Sequence, residues 1–178
     1  MKATGIVRRI DELGRVVIPK EIRRTQLIRV ADPLEIFIGS EGEVIFKKYS
    51  AVGGLQSLAG QVTAALAKTL SCGVLLCDRD KVLCAQGVDG IVPGASLAEG
   101  FSTQMETRRL FCADTDAAML VPVAEAPQCV SVLAPILVSG DLAGALALCA
   151  PAAKTEKEAA TLTAVRFAVD VLARSLDA

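Results

Sequence analysis

Two consecutive glycines, Gly53 and Gly54, separate two segments whose apolar residues recur with different periods. Before them, short β-branched runs alternate with turn residues, which is typical of small strands and hairpins. After them, apolar residues recur at steps of three and four: Leu55, Leu58, Val62 and Leu66. That spacing is typical of a helix with one buried face. The change of period predicts two domains, 1–50 and 55–178, joined by a linker at 51–54.

The first segment is predicted to contain two hairpins and one short helix. The β-branched runs Thr4–Ile10 and Arg15–Ile18 flank Asp11–Gly14, whose glycine can adopt the positive φ of a tight turn. Pro19 suits the first turn of a helix, because the N–H that proline lacks would have no helical partner there. A second hairpin is predicted over 33–48, where apolar and polar residues alternate on both sides of a glycine-bounded turn.

Fifty residues of this kind are too few to form a stable core alone. Four short strands and one helix lie below the size at which a chain usually folds without disulfides, a metal or a partner. A homodimer with interleaved strands would supply the missing core.

Positive charge is concentrated at the same end of the chain. Residues 1–30 hold eight Lys and Arg against three Asp and Glu, although the whole chain has a net charge of -1. This asymmetry predicts an anionic partner, with a solvated face as the alternative. Arginine suits phosphate and guanine because its planar fork donates two parallel hydrogen bonds and stays charged. The candidates for binding DNA are Arg8, Arg15, Arg23, Arg24, Arg9, Lys2 and Lys20.

The second segment is predicted to be an α+β domain with the order α, β, β, α, β, β, β, α. Five apolar runs indicate the strands: 73–78, 81–87, 118–123, 129–137 and 142–150. Turn residues at 78–80 and 139–141 favour an antiparallel sheet. Ser96 and Glu99 have the spacing of a capping box and predict an inner helix. A last helix is predicted from about Ala153, with an apolar stripe: Leu162, Val165, Val169, Leu172 and Leu176.

The chain has six cysteines and no histidine. The cysteines form no C-x-x-C pair, which argues against the usual zinc frameworks, and the lack of histidine excludes Ser–His and Cys–His nucleophiles. Most cysteines lie in apolar runs, which predicts reduced, buried thiols. The sequence has neither the apolar core of a secretion signal nor a run long enough to span a bilayer. We therefore expect a cytoplasmic protein with no metal, no cofactor and no catalytic residue.

The run from Thr4 to Thr25, TGIVRRIDELGRVVIPKEIRRT, resembles the swapped-hairpin DNA-binding domain of the AbrB family of transition-state regulators, and the hairpin up to residue 50 extends the resemblance. It implies a homodimeric barrel of interleaved strands with one short helix, which binds double-stranded DNA. It also implies a nucleoid-associated regulator of sporulation genes that is located in the forespore. It also implies that four arginines face the DNA: Arg8, Arg15, Arg23 and Arg24. Arg9 should point to the opposite face. One departure is Ala31, where the family more often has glycine.

Alternatives remain for the first segment. The arginines could protect edge strands and helix ends without binding a partner. Related swapped hairpins also serve as antitoxins, which carry a disordered tail after the DNA-binding domain. The apolar, periodic pattern of residues 55–178 argues against such a tail.

Two short pieces of the second segment, CDRD and GDLAGALAL, are similar to GAF-type domains. The similarity implies a GAF-like domain with an antiparallel sheet and flanking helices, and suggests a sensor of an unidentified small molecule. Polar residues in and after the inner helix are the candidates for lining its cavity: Ser102, Thr103, Glu106, Arg108 and Arg109. An enzymatic alternative is cysteine redox chemistry, for which Cys112 lies near two cations in sequence.

A third role for the second segment is assembly. The stripes at 55–70 and 162–176 either pack on their own sheet or meet the same stripes of another subunit in a four-helix bundle. The resemblance implies that N-terminal dimers associate into a homotetramer through this domain.

Overall fold

The computed structural model describes residues 4–113, 120–149 and 158–177. The chain divides into two compact units between Tyr49 and Ser50. Lys2, the start of the last helix near Ala153 and the first two residues of the run 118–123 lie outside the described residues.

The N-terminal unit contains the predicted helix and one of the two predicted hairpins. Helix α1, Lys20–Thr25, begins directly after Pro19. Strands β1, Leu34–Ile38, and β2, Val44–Lys48, pair antiparallel over five residues each. Gly42 in the turn between them has a φ of 84°, in the left-handed region that glycine tolerates best.

One face of this hairpin is apolar and open to solvent. Ile36 lies opposite Phe46 and Ile38 opposite Val44, so the four side chains share a face, which we call the apolar hairpin face. Their exposed fractions are 61% for Ile36, 41% for Phe46, 83% for Ile38 and 60% for Val44. On the opposite face, the Lys47 ammonium lies 4.7 Å from the centre of the Phe37 ring.

The other predicted hairpin is reduced to its turn. The N–H of Asp11 donates to the carbonyl of Arg15 at 3.0 Å, and the N–H of Gly14 donates to the carbonyl of Asp11 at 2.9 Å. Residues 4–10 and 15–19 on either side form no strand, so the prediction of two paired strands is wrong for the single chain. An isolated two-stranded ribbon is marginal in water. The Lys48 side chain ties the β1–β2 hairpin to the loop after α1, whereas the apolar side chains of residues 4–10 and 15–18, such as Val7 and Val17, stay exposed.

The N-terminal unit consequently lacks a core of its own. Pro19 is the one buried residue among 4–49. All the core side chains of the described residues lie from Val52 onward. The exposed large apolar residues of this small unit include Val7, Ile10, Val17 and Val30. Such a density of uncovered apolar surface marks an association surface.

The C-terminal unit is built on a five-stranded antiparallel sheet with the spatial order β4-β3-β7-β6-β5. Its strands are β3 Gly73–Cys77, β4 Val82–Gln86, β5 Phe111–Cys112, β6 Val130–Val138 and β7 Asp141–Cys149. Four of the five predicted strands and both predicted hairpins are confirmed. The predicted strand at 118–123 is wrong in its described part, Leu120–Val123, where Pro122 has no N–H for a ladder. The short β5 takes its place in the sequence order.

Helices cover both faces of this sheet. Helices α2, Gln56–Leu70, and α4, Glu158–Leu176, pack on one face, where Val74 and Leu76 point. Helix α3, Glu99–Glu106, packs on the other, where Leu75 points. Alternate residues of β3 thus enter two separate apolar layers. The predicted GAF-like α+β architecture agrees with this arrangement.

The inner helix α3 starts later than the capping-box spacing predicts. Its N-cap is Ala98, and no side chain caps the helix, so the Ser96–Glu99 capping box is wrong. Ser96 instead bridges Lys81, and the N–H of Leu97 donates to the carbonyl of Asp80 at 2.9 Å. Main-chain bonds to the β3–β4 hairpin hold this segment extended.

The segment predicted as a linker, 51–54, lies within the C-terminal unit. Val52–Leu55 form a short 3-10 helix, and Val52 is fully buried in the core shared by α2 and α4. Gly144 of β7 allows this packing, because a Cβ there would overlap the carbonyl oxygen of Cys77 and press on Val52. No helix in the described parts of the chain combines the length and apolarity needed to cross a bilayer.

Candidate nucleic-acid interface

The basic N-terminal run is organised by the turn at Asp11. One carboxylate oxygen of Asp11, Oδ1, accepts hydrogen bonds from the N–H of Leu13 at 3.0 Å and of Arg15 at 2.8 Å. The other, Oδ2, accepts one from Nε of Arg15 at 2.8 Å. Gly14 supplies the positive φ of 74° that the turn requires. The sequence predicted the turn, and the Asp11–Arg15 ion pair was not foreseen.

The charge of Asp11 is stabilised in this turn. The N–H of Arg15, followed by the Arg15 guanidinium, lowers the pKa of the Asp11 carboxyl. The Arg15 side chain is 70% exposed and that of Asp11 44%, so the ion pair is accessible from solvent. The Nε of Arg15 is therefore bonded to Asp11, while the rest of the guanidinium remains accessible to solvent.

The other described DNA-binding candidates are exposed, except Arg23, which is half-buried. Arg8 and Arg9 lie on the extended segment before the turn and are exposed. Lys20 is exposed at the start of α1, while Arg23 and Arg24 lie together in its last turn. Cations are also favoured at a helix C-terminus by the helix dipole, which offers a second reason for that pair. The single chain forms no ladder that would bring Arg8 beside Arg15.

The loop after α1 is anchored to the hairpin. The Asp32 carboxylate is 1% exposed and lies 3.1 Å from Nζ of Lys48, which also donates to the carbonyl of Leu27 at 2.8 Å. The N–H of Arg29 donates to the same carboxylate at 2.8 Å. Ala31 has a φ of 66°, so the loop keeps the left-handed conformation that a glycine would favour. The spacing of residues in the sequence did not predict the ion pair between Asp32 and Lys48.

The residues proposed to line a cavity in the C-terminal unit point elsewhere. Phe101 and Met105 are the α3 side chains that enter the core, and both are fully buried. Of the predicted set, Ser102 is half-buried and the others are exposed: Thr103, Glu106, Arg108 and Arg109. The guanidinium of Arg108 donates to the carbonyl of Gly140 at 2.6 Å. These polar residues therefore do not converge on a shared cavity.

Burial makes four of the six thiols harder to ionise. Burial raises the pKa of Cys72 and Cys84, and raises that of Cys149 to about 12. Cys77 is fully buried, and its pKa is raised in the same direction. Cys112 is exposed, but Arg108, one of the two cations proposed to activate it, is bonded to Gly140. No cluster of three metal-ligating side chains occurs within 4–113, 120–149 and 158–177.

A cleft of about 290 Å³ opens where β3 begins, lined by residues that include Ser71, Cys72 and Gln128. The Gln128 side-chain oxygen is buried and has no hydrogen-bond partner. The cleft is a candidate site for a small ligand.

Comparison with known proteins decides the family. The family model described as "Stage V sporulation protein T C-terminal, transcription factor" matches residues 54–177. The chain belongs to the stage V sporulation protein T family. It is 43% identical over 150 residues to stage V sporulation protein T of Bacillus subtilis (strain 168), which covers 83% of this chain and 84% of that protein. The prediction of a transcription regulator is thereby confirmed.

The N-terminal unit has relatives of its own. Over 49 residues the chain is 61% identical to the transition state regulatory protein AbrB of Bacillus subtilis (strain 168), covering 28% of this chain and 50% of that protein. The model described as "Antidote-toxin recognition MazE, bacterial antitoxin" matches residues 7–52. The predicted AbrB-like fold is confirmed. The match to the antitoxin model covers only residues 7–52 of this chain.

Solved structures resemble the C-terminal unit in fold. The cyanobacteriochrome receptor PixJ aligns with a TM-score of 0.52 at 13% identity, over 72% of this chain and 98% of that chain. The GAF domain of the nutrient sensor CodY from Clostridium difficile aligns with a TM-score of 0.47 at 14% identity, over 66% of this chain and 83% of that chain. The PixJ alignment shows that the C-terminal unit shares its fold with that receptor.

Proposed function

We infer that the N-terminal unit binds double-stranded promoter DNA as a homodimer, and that the arginines of the Asp11 turn and helix α1 contact the duplex. The observation that carries this proposal is the combination of exposed arginines with a unit that lacks its own core. An anion-binding surface on such a unit is held in shape only when a second chain covers its apolar side chains.

Dimerisation follows from the apolar hairpin face. Ile36, Ile38, Val44 and Phe46 are uncovered in the single chain, and so are the apolar residues on both sides of the Asp11 turn. Interleaving two copies would cover both sets and would also give residues 4–10 and 15–18 a pairing partner. Dimerisation would also double the number of arginines and lysines on the surface.

DNA contacts would come mainly from phosphate anchoring. Arg8, Arg15, Arg23 and Arg24 donate forked hydrogen bonds to phosphate oxygens, with Arg9 and Lys20 adding charge. Lys2 belongs to the same predicted set. Sequence preference would then arise largely from the shape and deformability of the duplex. We expect this work to take place in the cytoplasm, on sporulation promoters in the forespore.

The test is an Arg15→Ala substitution in the full chain, with binding measured by fluorescence anisotropy on a duplex enriched from a random pool by the protein itself. We expect affinity to fall by about tenfold or more, because a dimer loses two charge-assisted contacts. Arg174→Ala is the matched control, since Arg174 holds an aspartate four residues away with the same Nε–Oδ2 geometry on α4. Unchanged binding by Arg15→Ala would contradict the proposal.

The C-terminal unit would join two dimers into a tetramer. The stripe from Leu162 to Leu176 packs largely on its own sheet, with Val165 and Leu172 fully buried, so it is occupied within the chain. The outer side of α4 instead exposes Phe167, at 71%. A large aromatic residue in that position supports a contact between C-terminal units that uses the outer face of α4.

An effector would bind in the cleft beside Gln128. The lining combines the Gln128 amide and the Ser71 hydroxyl, so a small polar ligand such as an amine or amide would fit there. Thermal shift of the full chain against a panel of such compounds tests this, because any ligand of the folded state raises the melting temperature.

A further inference from the structure

Asp11 makes an unusual number of contacts for an exposed carboxylate. Its two oxygens accept three hydrogen bonds, from the N–H groups of Leu13 and Arg15 and from Nε of Arg15. The two main-chain bonds fix the plane of the carboxylate within the turn. The bond to Nε then fixes the side chain of Arg15 relative to that plane.

We propose that Asp11 is a positioning residue for Arg15, which it holds by the Nε edge so that the Nη1–Nη2 edge meets DNA. The proposal rests on the function above, in which Arg15 contacts the duplex. A guanidinium has five N–H donors on a rigid fork, and Asp11 uses one of them. The terminal edge still carries the pair of donors that a phosphate or a guanine edge accepts.

The benefit is preorganisation. An unrestrained arginine has many rotamers and loses that freedom on binding, which weakens the complex. In this turn, the freedom is already restricted before DNA arrives. The carboxylate also carries a negative charge, which by itself should repel the phosphates of the duplex.

These two effects of Asp11 have opposite signs, and this makes the proposal testable. Asp11→Asn removes the charge and weakens the hold on Nε, while its side-chain oxygen can still accept from the turn. If charge alone mattered, the variant would bind DNA more tightly. Under the proposal, the full chain binds a selected duplex about three- to tenfold more weakly, since a dimer carries the pair twice.

Glu12→Gln is the matched control, because it removes the same charge from the neighbouring exposed residue. We expect Glu12→Gln to bind as tightly as the original chain or more tightly. Equal tightening by Asp11→Asn and Glu12→Gln would overturn the proposal.

A double-mutant cycle with Arg15→Ala separates positioning from a general effect on the turn. If Asp11 acts through Arg15, Asp11→Asn changes affinity by less than about twofold once Arg15 is alanine. The same weakening in both backgrounds would show that Asp11 acts on the turn itself and would overturn the positioning role. If Arg15→Ala alone leaves binding intact, then Arg15 does not contact DNA. In that case the positioning role of Asp11 is also overturned, because the proposed function on which it rests has failed. Circular dichroism and sedimentation of each variant check that fold and assembly are retained.

Discussion

Replacing Ile36 by threonine should weaken the N-terminal dimer without unfolding the hairpin. Threonine keeps the β-branch that suits a strand, so the substitution mainly removes apolar surface from the apolar hairpin face. Ile36 is 61% exposed in the single chain, which is the part of its surface left to bury on association. Full burial of such a side chain contributes about 1.5–3 kcal/mol, so the loss is about 1–2 kcal/mol per copy.

The two copies in a dimer make the effect measurable. A total loss of about 2–4 kcal/mol raises the dimer dissociation constant by about 30- to 800-fold. The assay is sedimentation equilibrium of residues 1–50, with the full chain measured in parallel because the short fragment folds only on association. Val92→Thr is the control in the full chain, since Val92 is a similarly exposed residue of the C-terminal unit. An unchanged dissociation constant for Ile36→Thr would refute the assignment of this face to the interface.

Two further substitutions test the loop and the assembly. Ala31→Gly should stabilise the N-terminal unit by about 0.5–1 kcal/mol, because it relieves the left-handed strain of alanine at the cost of a more flexible unfolded chain. Urea denaturation of the full chain measures this, and Ala64→Gly, at an exposed position of α2, should instead destabilise by about 1 kcal/mol. A destabilised Ala31→Gly would count against the loop conformation. Phe167→Ser should convert tetramers to dimers in sedimentation velocity. An unchanged mass would exclude the outer face of α4 as the contact between dimers.

Local chemistry made much of the fold predictable. The Asp11–Gly14 turn, the helix after Pro19 and both hairpins of the sheet depend on residues within a few positions of each other. Side-chain bonds of Asp78 to the N–H groups of Asp80 and Lys81, both at 2.8 Å, show how a short motif closes its own turn.

Features that depend on distant partners were missed. Residues 4–10 and 15–18 have strand-like sequences, but pairing them requires apolar surface that the single chain does not supply. Ser96 and Glu99 fit a capping box, yet main-chain bonds to the β3–β4 hairpin prevail over that local preference. The Asp32–Lys48 pair joins residues sixteen positions apart, a separation that no local pattern encodes.

The central claim, a dimeric arginine surface on DNA, is tested most directly by the salt dependence of binding of the full chain to its selected duplex. If the four arginines of each copy contact phosphates, the logarithm of the association constant should fall linearly with the logarithm of the salt concentration. Up to eight contacts in a dimer predict a slope between about -4 and -7. A slope near zero, or binding that saturates with a single chain on the duplex, would contradict the account.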